Sequence, residues 1–83
     1  KNLMVLPLSA VEQDADGNIF VYTLINAVEG VATAKKVVIT LGKTYSEGVA
    51  VLKGIKSGDY IVTSGVSQIT DGQAVAVLSK EED

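Results

Sequence analysis

Cysteine, histidine, tryptophan and arginine are all absent from this chain of 83 residues, and Pro7 is its single proline. Each absence removes a class of chemistry. Without cysteine there is no disulfide, no thiol nucleophile and no Cys-type zinc site, although the compartment stays open, because many exported bacterial proteins lack cysteine too. Without histidine or cysteine the usual nucleophilic triads cannot be assembled, so the serines have no general base. Without arginine, and with a formal charge of −3, the chain lacks both the basic patch and the bidentate side chain that nucleic-acid recognition uses. Only four aromatics, Phe20, Tyr22, Tyr45 and Tyr60, are present, few for a sugar-stacking platform. No apolar run approaches the roughly 20 residues that span a bilayer as a helix. No signal peptide is visible and the chain begins at Lys1, so it reads as a fragment or mature piece of a longer protein.

What remains is aliphatic. Apolar residues make up 47% of the chain, with valine prominent, which favours sheet in one small domain over residues 1–83. A chain of this length buries roughly 60% of its unfolded surface, so the core is modest. Met4 to Val11 reads as an extended segment in which Pro7, lacking a ladder donor, imposes an edge or a bend. Asp16-Gly17 signals a hairpin. Ile19 to Ile25 follows as a strand apolar on both faces and hence central, then Asn26 to Gly30 as a looser connection. Ala34 to Gly42 alternates, with Val37, Ile39 and Leu41 on one face. Lys43 to Gly48 reads as a turn, and Val49–Lys53, Tyr60–Ser64 and Ala74–Ser79 as further strands. Val66 to Thr70 has room for one helical turn. The expectation is an all-β fold of about six strands, a small roll or partly open barrel, with an acidic solvated tail at 80–83.

Three stretches invite a chemical reading. "LKGIKSGDYIVTSG" (52–65) carries a Lys-Ser pair like that of a phosphate loop, but G-x-x-x-x-G-K-[ST] needs glycine at 50 and 55, where Ala50 and Ile55 stand. A strand follows in place of the helix whose N-terminus would face a phosphate, so the stretch reads as a turn centred on Gly58. The sequence also uses similar turn chemistry twice, at Ile55-Lys56-Ser57-Gly58 and Ile69-Thr70-Asp71-Gly72. "DADGN" (14–18) resembles the start of a calcium loop, but the sixth and twelfth positions are Ile19 and Ile25, where glycine and glutamate are required. A hairpin turn is the simpler reading, leaving at most a weak cation contact at Asp14 and Asp16. The carboxylates Glu12, Asp14, Asp16, Glu29, Glu47, Asp59 and Asp71 all fall in or beside turns, where they serve solubility and local hydrogen bonding, so no catalytic pair stands out. No enzyme, cofactor or metal is expected.

The order of motifs carries a resemblance. "VLPLSAV" (Val5 to Val11) and "DADGNIFVYTL" resemble the opening segment and following hairpin of the membrane-proximal domain of periplasmic adaptors, the membrane fusion proteins of resistance-nodulation-division (RND) efflux pumps. "VVITLGKTYSEGVAVLKGIKSGDYIVTSGVSQITDGQAVAV" resembles the C-terminal signature of that family. Ile39 to Gly42 match its "V-x-x-G" strand end. Val51, Gly54, Ile55, Gly58, Asp59, Ile61, Val62 and Gly65 match "V-x-x-G-[LI]-x-x-G-D-x-[VI]-V-x-x-G". Asp71, Gly72, Val75 and Val77 match the closing "L-x-D-G-x-x-V-x-V", with Ile69 in place of leucine. Pro7, Gly17, Gly42, Gly54, Gly58, Asp59, Gly65, Asp71 and Gly72 are the structural signature on this reading.

The resemblance implies a non-catalytic periplasmic domain, attached to the inner membrane through other parts of the protein. It would dock on an inner-membrane transporter and couple it to the rest of an efflux assembly that includes other adaptor protomers. It implies no bilayer insertion by this segment. It also implies an open strand edge, filled in the family by a strand from elsewhere in the chain and free here to pair with a neighbouring copy. The exposed turns at Tyr45, Ser46 and Glu47 and at Lys56, Ser57 and Asp59 are the candidate transporter contacts. An adaptor for an ABC-type exporter, or a generic extracellular β binding module, are the alternatives.

Overall fold

The computed structural model describes residues 4–56, 58–63 and 65–76. Ser57, Ser64, Val77, the end of the strand expected over Ala74–Ser79, and the acidic tail at 80–83 lie outside the described residues. The fold is all-β. Among the described residues seven strands form two sheets: β1 (Met4–Leu6), β2 (Glu12–Gln13), β3 (Ile19–Val28), β4 (Val31–Val38), β5 (Thr40–Tyr45), β6 (Gly48–Lys53) and β7 (Ala74–Ala76). One sheet has the order β1-β6-β5 and the other β2-β3-β4-β7, every named pairing being antiparallel.

Pro7 ends β1 and does bend the chain. The extended segment expected to reach Val11 stops at Leu6, and a 3-10 turn follows over Leu8–Ala10, with the Ala10 amide donating to the Pro7 carbonyl (3.0 Å). β1 is an edge strand, as a proline-terminated segment should be. The Asp16-Gly17 hairpin forms between β2 and β3, with Gln13 opposite Ile19.

β3 is an inner strand, buried on both faces over Phe20 to Thr23 and exposed from Ile25 to Val28. Val21 packs with Leu6, Ile39 and Val51 between the two sheets. Phe20 and Tyr22 point the other way and pack with Ala34 and Val66. Beyond β2, on the same edge of β3, the Leu24 amide donates to Tyr60 O (3.0 Å) and the Val62 amide to Tyr22 O (3.0 Å). The strand expected over Tyr60–Ser64 is thus reduced to one bridge, Thr23 opposite Ile61. That segment carries Val66 and Ile69 over the second core, and a 3-10 turn forms at Val66–Gln68 within the stretch expected to turn.

Three further expectations change. Asn26 to Gly30 is no loose connection: β3 runs on to Val28, and Glu29 (φ 51°) and Gly30 (φ 83°) close a two-residue turn between Val28 and Val31. Positive φ at both central positions is the type I′ geometry that matches strand twist. The segment Ala34 to Gly42 is likewise two strands. β4 ends at Val38, the Ile39 amide donates to Ile19 O (2.9 Å), and the chain crosses into the other sheet as β5. The facing survives the crossing, since Val37, Ile39 and Leu41 all join the core between the sheets. β5 also absorbs most of the turn expected at Lys43–Gly48, leaving only Ser46 and Glu47 between the paired Tyr45 and Gly48.

Candidate interaction surface

The signature residues shape turns and close approaches and make no reactive cluster. Pro7 sits at the start of the first 3-10 turn and Gly65 at the start of the second. Gly17 completes the β2–β3 turn, its amide donating to Asp14 O (3.0 Å). Gly42 lies in β5 under Leu52, whose Cδ2 is 2.8 Å from where a methyl would stand. Gly54 (φ 114°) brings the end of β6 against the crossing, where an added Cβ would meet Val38 O at 2.7 Å.

Gly58 and Gly72 belong to the two stretches read as similar turns, and the similarity is physical. The Asp59 amide donates to Lys56 O (3.1 Å) while Asp59 Oδ2 accepts from the Lys56 amide (2.9 Å). The Gln73 amide donates to Thr70 O (2.9 Å) while Gln73 Oε1 accepts from the Thr70 amide (2.9 Å). In each turn the fourth residue closes both bonds and the third is a glycine at positive φ, 98° and 88°. The Lys-Ser-Gly-Asp stretch is thus a self-capped turn, and Asp59 spends its carboxylate on that turn.

Asp71 has a different task. Its Oδ1 accepts from the Lys36 amide (2.8 Å), and the Gly72 amide donates to Ala34 O (2.7 Å). A side-chain oxygen thereby extends the β4–β7 pairing by one bond beyond the last backbone partner.

The candidate contact turns do not form one patch. Tyr45, Ser46 and Glu47 sit at the β5–β6 hairpin end, with Tyr45 38% exposed and Ser46 Oγ donating to Glu47 Oε1 (3.3 Å). Lys56 and Asp59 lie past the opposite end of β6, a strand of six residues and about 17 Å. Two apolar features went unnoticed in the sequence. Val28 (65% exposed) and Val31 (47%) face each other at the β3–β4 hairpin tip, and Tyr60 is 75% exposed. The valines looked like ordinary strand residues, and only the length of β3 shows that they project.

Lys36 is the residue that sequence reasoning passed over. Its ammonium lies 3.0 Å from Asp14 Oδ2 and 4.5 Å from the centre of the Phe20 ring, while its backbone amide holds Asp71. One residue of β4 thus ties together the β2–β3 turn, the second core and the turn before β7. Asp14 in turn accepts at Oδ1 from the amides of Asp16 (3.0 Å) and Asn18 (2.9 Å). The Lys36 ammonium holds the Asp14 carboxyl at about 2, down from 3.8. Partial burial opposes that shift, and the Asn18 and Asp16 amides reinforce it. The same hydrogen bond to Asp14 raises Lys36 above its ordinary value. A depressed carboxylate contributes stability that is complete above its unfolded pKa and lost as pH falls through the folded one. This contribution should therefore persist to pH 3.8 and disappear towards pH 2. A carboxyl-detected NMR titration should place the Asp14 midpoint near 2, and Lys36→Met should move it up towards 3.8. A midpoint of 3.8 in the unsubstituted chain would mean that the ion pair does not form.

Among the described residues no three His, Cys, Asp or Glu side chains are grouped to hold a metal ion, and no helix is long and apolar enough to cross a membrane. The described surface presents turns and a hairpin tip.

Comparison with known proteins agrees with that geometry. The multidrug resistance protein MdtA of Yersinia pestis (strain Pestoides F) is 33% identical over 79 residues, 95% of this chain and 17% of that protein. MdtA of Yersinia pseudotuberculosis serotype O:1b (strain IP 31758) shows the same figures. MdtA of Cronobacter turicensis is 30% identical over 81 residues, 98% of this chain and 18% of that protein. The chain therefore spans about a sixth of the length of these relatives. No solved structure is significantly similar to it. Residues 2–68 match the family described as RND MFPs, C-terminal permuted SH3 domain, and the chain belongs to that family of membrane fusion protein domains.

Proposed function

We propose that residues 1–83 act as the membrane-proximal domain of a periplasmic adaptor. In this reading the domain docks without catalysis on an inner-membrane RND transporter and couples it to the rest of an efflux assembly. The observation that carries the reading is the family match over residues 2–68, made by a fold that offers turns and edges. The match is to an RND family, which favours that partner over an ABC-type exporter. The relatives' name, multidrug resistance protein, supports export of small toxic compounds as the role of the parent protein.

Tyr45, Ser46 and Glu47 at one end of β6, and Lys56, Ser57 and Asp59 past the other, are the proposed transporter contacts. Because the two sets lie at opposite ends of β6, the proposed transporter surface would reach along that strand to meet both. The outer edges of β1 and β5, free among the described residues, are where a strand from the parent chain or a neighbouring copy would pair. The test is a drug-susceptibility assay in a strain that depends on the parent protein. Glu47→Lys and Lys56→Glu, made singly, should leave protein abundance unchanged. One of them should lower the inhibitory concentration about tenfold. Resistance unchanged by both, at normal abundance, removes these turns from the interface.

A further inference from the structure

The chain contains two Asp-Gly pairs, Asp16-Gly17 and Asp71-Gly72, and the fold treats them differently. Among aspartyl pairs Asp-Gly is the one most open to succinimide chemistry, because glycine offers its amide nitrogen without a side chain to shield it. At Asp71 both reacting groups are engaged by β4. Oδ1 accepts from the Lys36 amide at 2.8 Å, and the Gly72 nitrogen donates to Ala34 O at 2.7 Å. At Asp16 only the nucleophile is engaged, by the bond from the Gly17 amide to Asp14 O (3.0 Å) within the turn itself. The Asp16 carboxyl is exposed and makes no hydrogen bond among the described residues.

We propose that Asp16 is a site of spontaneous isoaspartate formation and that the Lys36–Asp71 bond protects the otherwise equivalent Asp71. The Gly17 nitrogen attacks the Asp16 carboxyl carbon. The N–C bond forms, the carboxyl C–O bond breaks, and the amide proton leaves with that oxygen as water. Water then adds to either carbonyl of the five-membered ring and the ring C–N bond breaks, giving aspartate or isoaspartate with no net change in composition. Isoaspartate inserts one backbone atom between Asp14 and Asn18. The Asp14 carboxylate can then no longer accept from both the Asp16 and Asn18 amides, and the turn that presents it to Lys36 is loosened.

Each passage through the ring leaves one solvent oxygen in the product, so incubation of the intact protein in oxygen-18 water records it. Trypsin separates the sites, with Asp16 in the peptide 2–35 and Asp71 in 57–80, and fragment spectra distinguish Asp71 from Asp59. In the folded protein, label should build up at Asp16 at least about fivefold faster than at Asp71, the factor one hydrogen bond is worth. An enzyme that methylates isoaspartate should modify the peptide 2–35 after the same incubation. In concentrated urea both sites should label at comparable rates, since the protection belongs to the fold. Equal labelling in the folded protein, faster labelling at Asp71, or no label at Asp16 while the urea control labels both would each overturn the proposal.

Discussion

Replacing Gly48 by alanine should abolish or nearly abolish folding. Gly48 begins β6 at φ 152°, and a methyl there would fall on the Leu6 carbonyl, with Leu6 C at 2.6 Å and Pro7 Cα at 3.1 Å. Those atoms cannot yield, because Leu6 is held opposite Val49 in the β1–β6 ladder and packs in the core between the sheets. Backbone strain and overpacking together cost about 4 kcal/mol. At roughly 0.05–0.15 kcal/mol per residue, a domain of this size has only about 4–12 kcal/mol in total. Gly58→Ala is the control. Its φ is also positive, 98°, but among the described residues no atom beyond its chain neighbours lies within 4 Å of the added methyl, so only strain of about 1–2 kcal/mol applies. Urea denaturation of the two variants should separate them clearly. Failure of Gly48→Ala to yield folded protein, with Gly58→Ala folded, counts the same way. Equal costs would mean that β1 does not pack over Gly48.

Phe20→Ala should be the next most damaging change, at about 3–5 kcal/mol. Phe20 is 8% exposed, lies edge-on to Tyr22 with ring centres 5.4 Å apart, and covers Ala34 and Val66. It also carries the Lys36 ammonium over its face at 4.5 Å. Truncation therefore opens a cavity and removes the surface against which the Lys36–Asp14 pair is held. A cycle of Phe20→Leu and Lys36→Met separates the two effects. Lys36 is about one-third exposed, so the coupling should be favourable but small beside the packing loss. A coupling near zero would leave Phe20 a purely apolar core residue.

Much of this architecture was legible because it is local. The Asp16-Gly17 hairpin, the bend at Pro7, the central burial of Phe20 to Thr23 within the stretch Ile19 to Ile25, and the paired turns at Gly58 and Gly72 each follow from residues within a few positions of one another. The shared face of Val37, Ile39 and Leu41 was also readable, since alternation sets facing whatever sheet a strand joins. Of the candidate contacts, the exposed turn at Ser46 and Glu47 was readable. Its distance from Lys56 and Asp59 was not, because that depends on how far β6 runs.

By itself, then, the sequence determined the class of fold, the turns at Asp16-Gly17, Gly58 and Gly72, the shared facing of Val37, Ile39 and Leu41 and, through the order of its glycine-valine motifs, the family. The tertiary structure alone decided which strands pair. It broke one alternating segment at Ile39 and sent its halves into different sheets, a choice no periodicity encodes, because period two continues across the break. It also made Lys36 the junction of the domain, joining it to Asp14 from 22 positions away and to Asp71 from 35. Local patterns specify dihedral preference and facing, which depend on a residue and its neighbours. Partner choice depends on which closure buries the most apolar surface and leaves the fewest backbone groups unpaired, and that is a property of the whole chain.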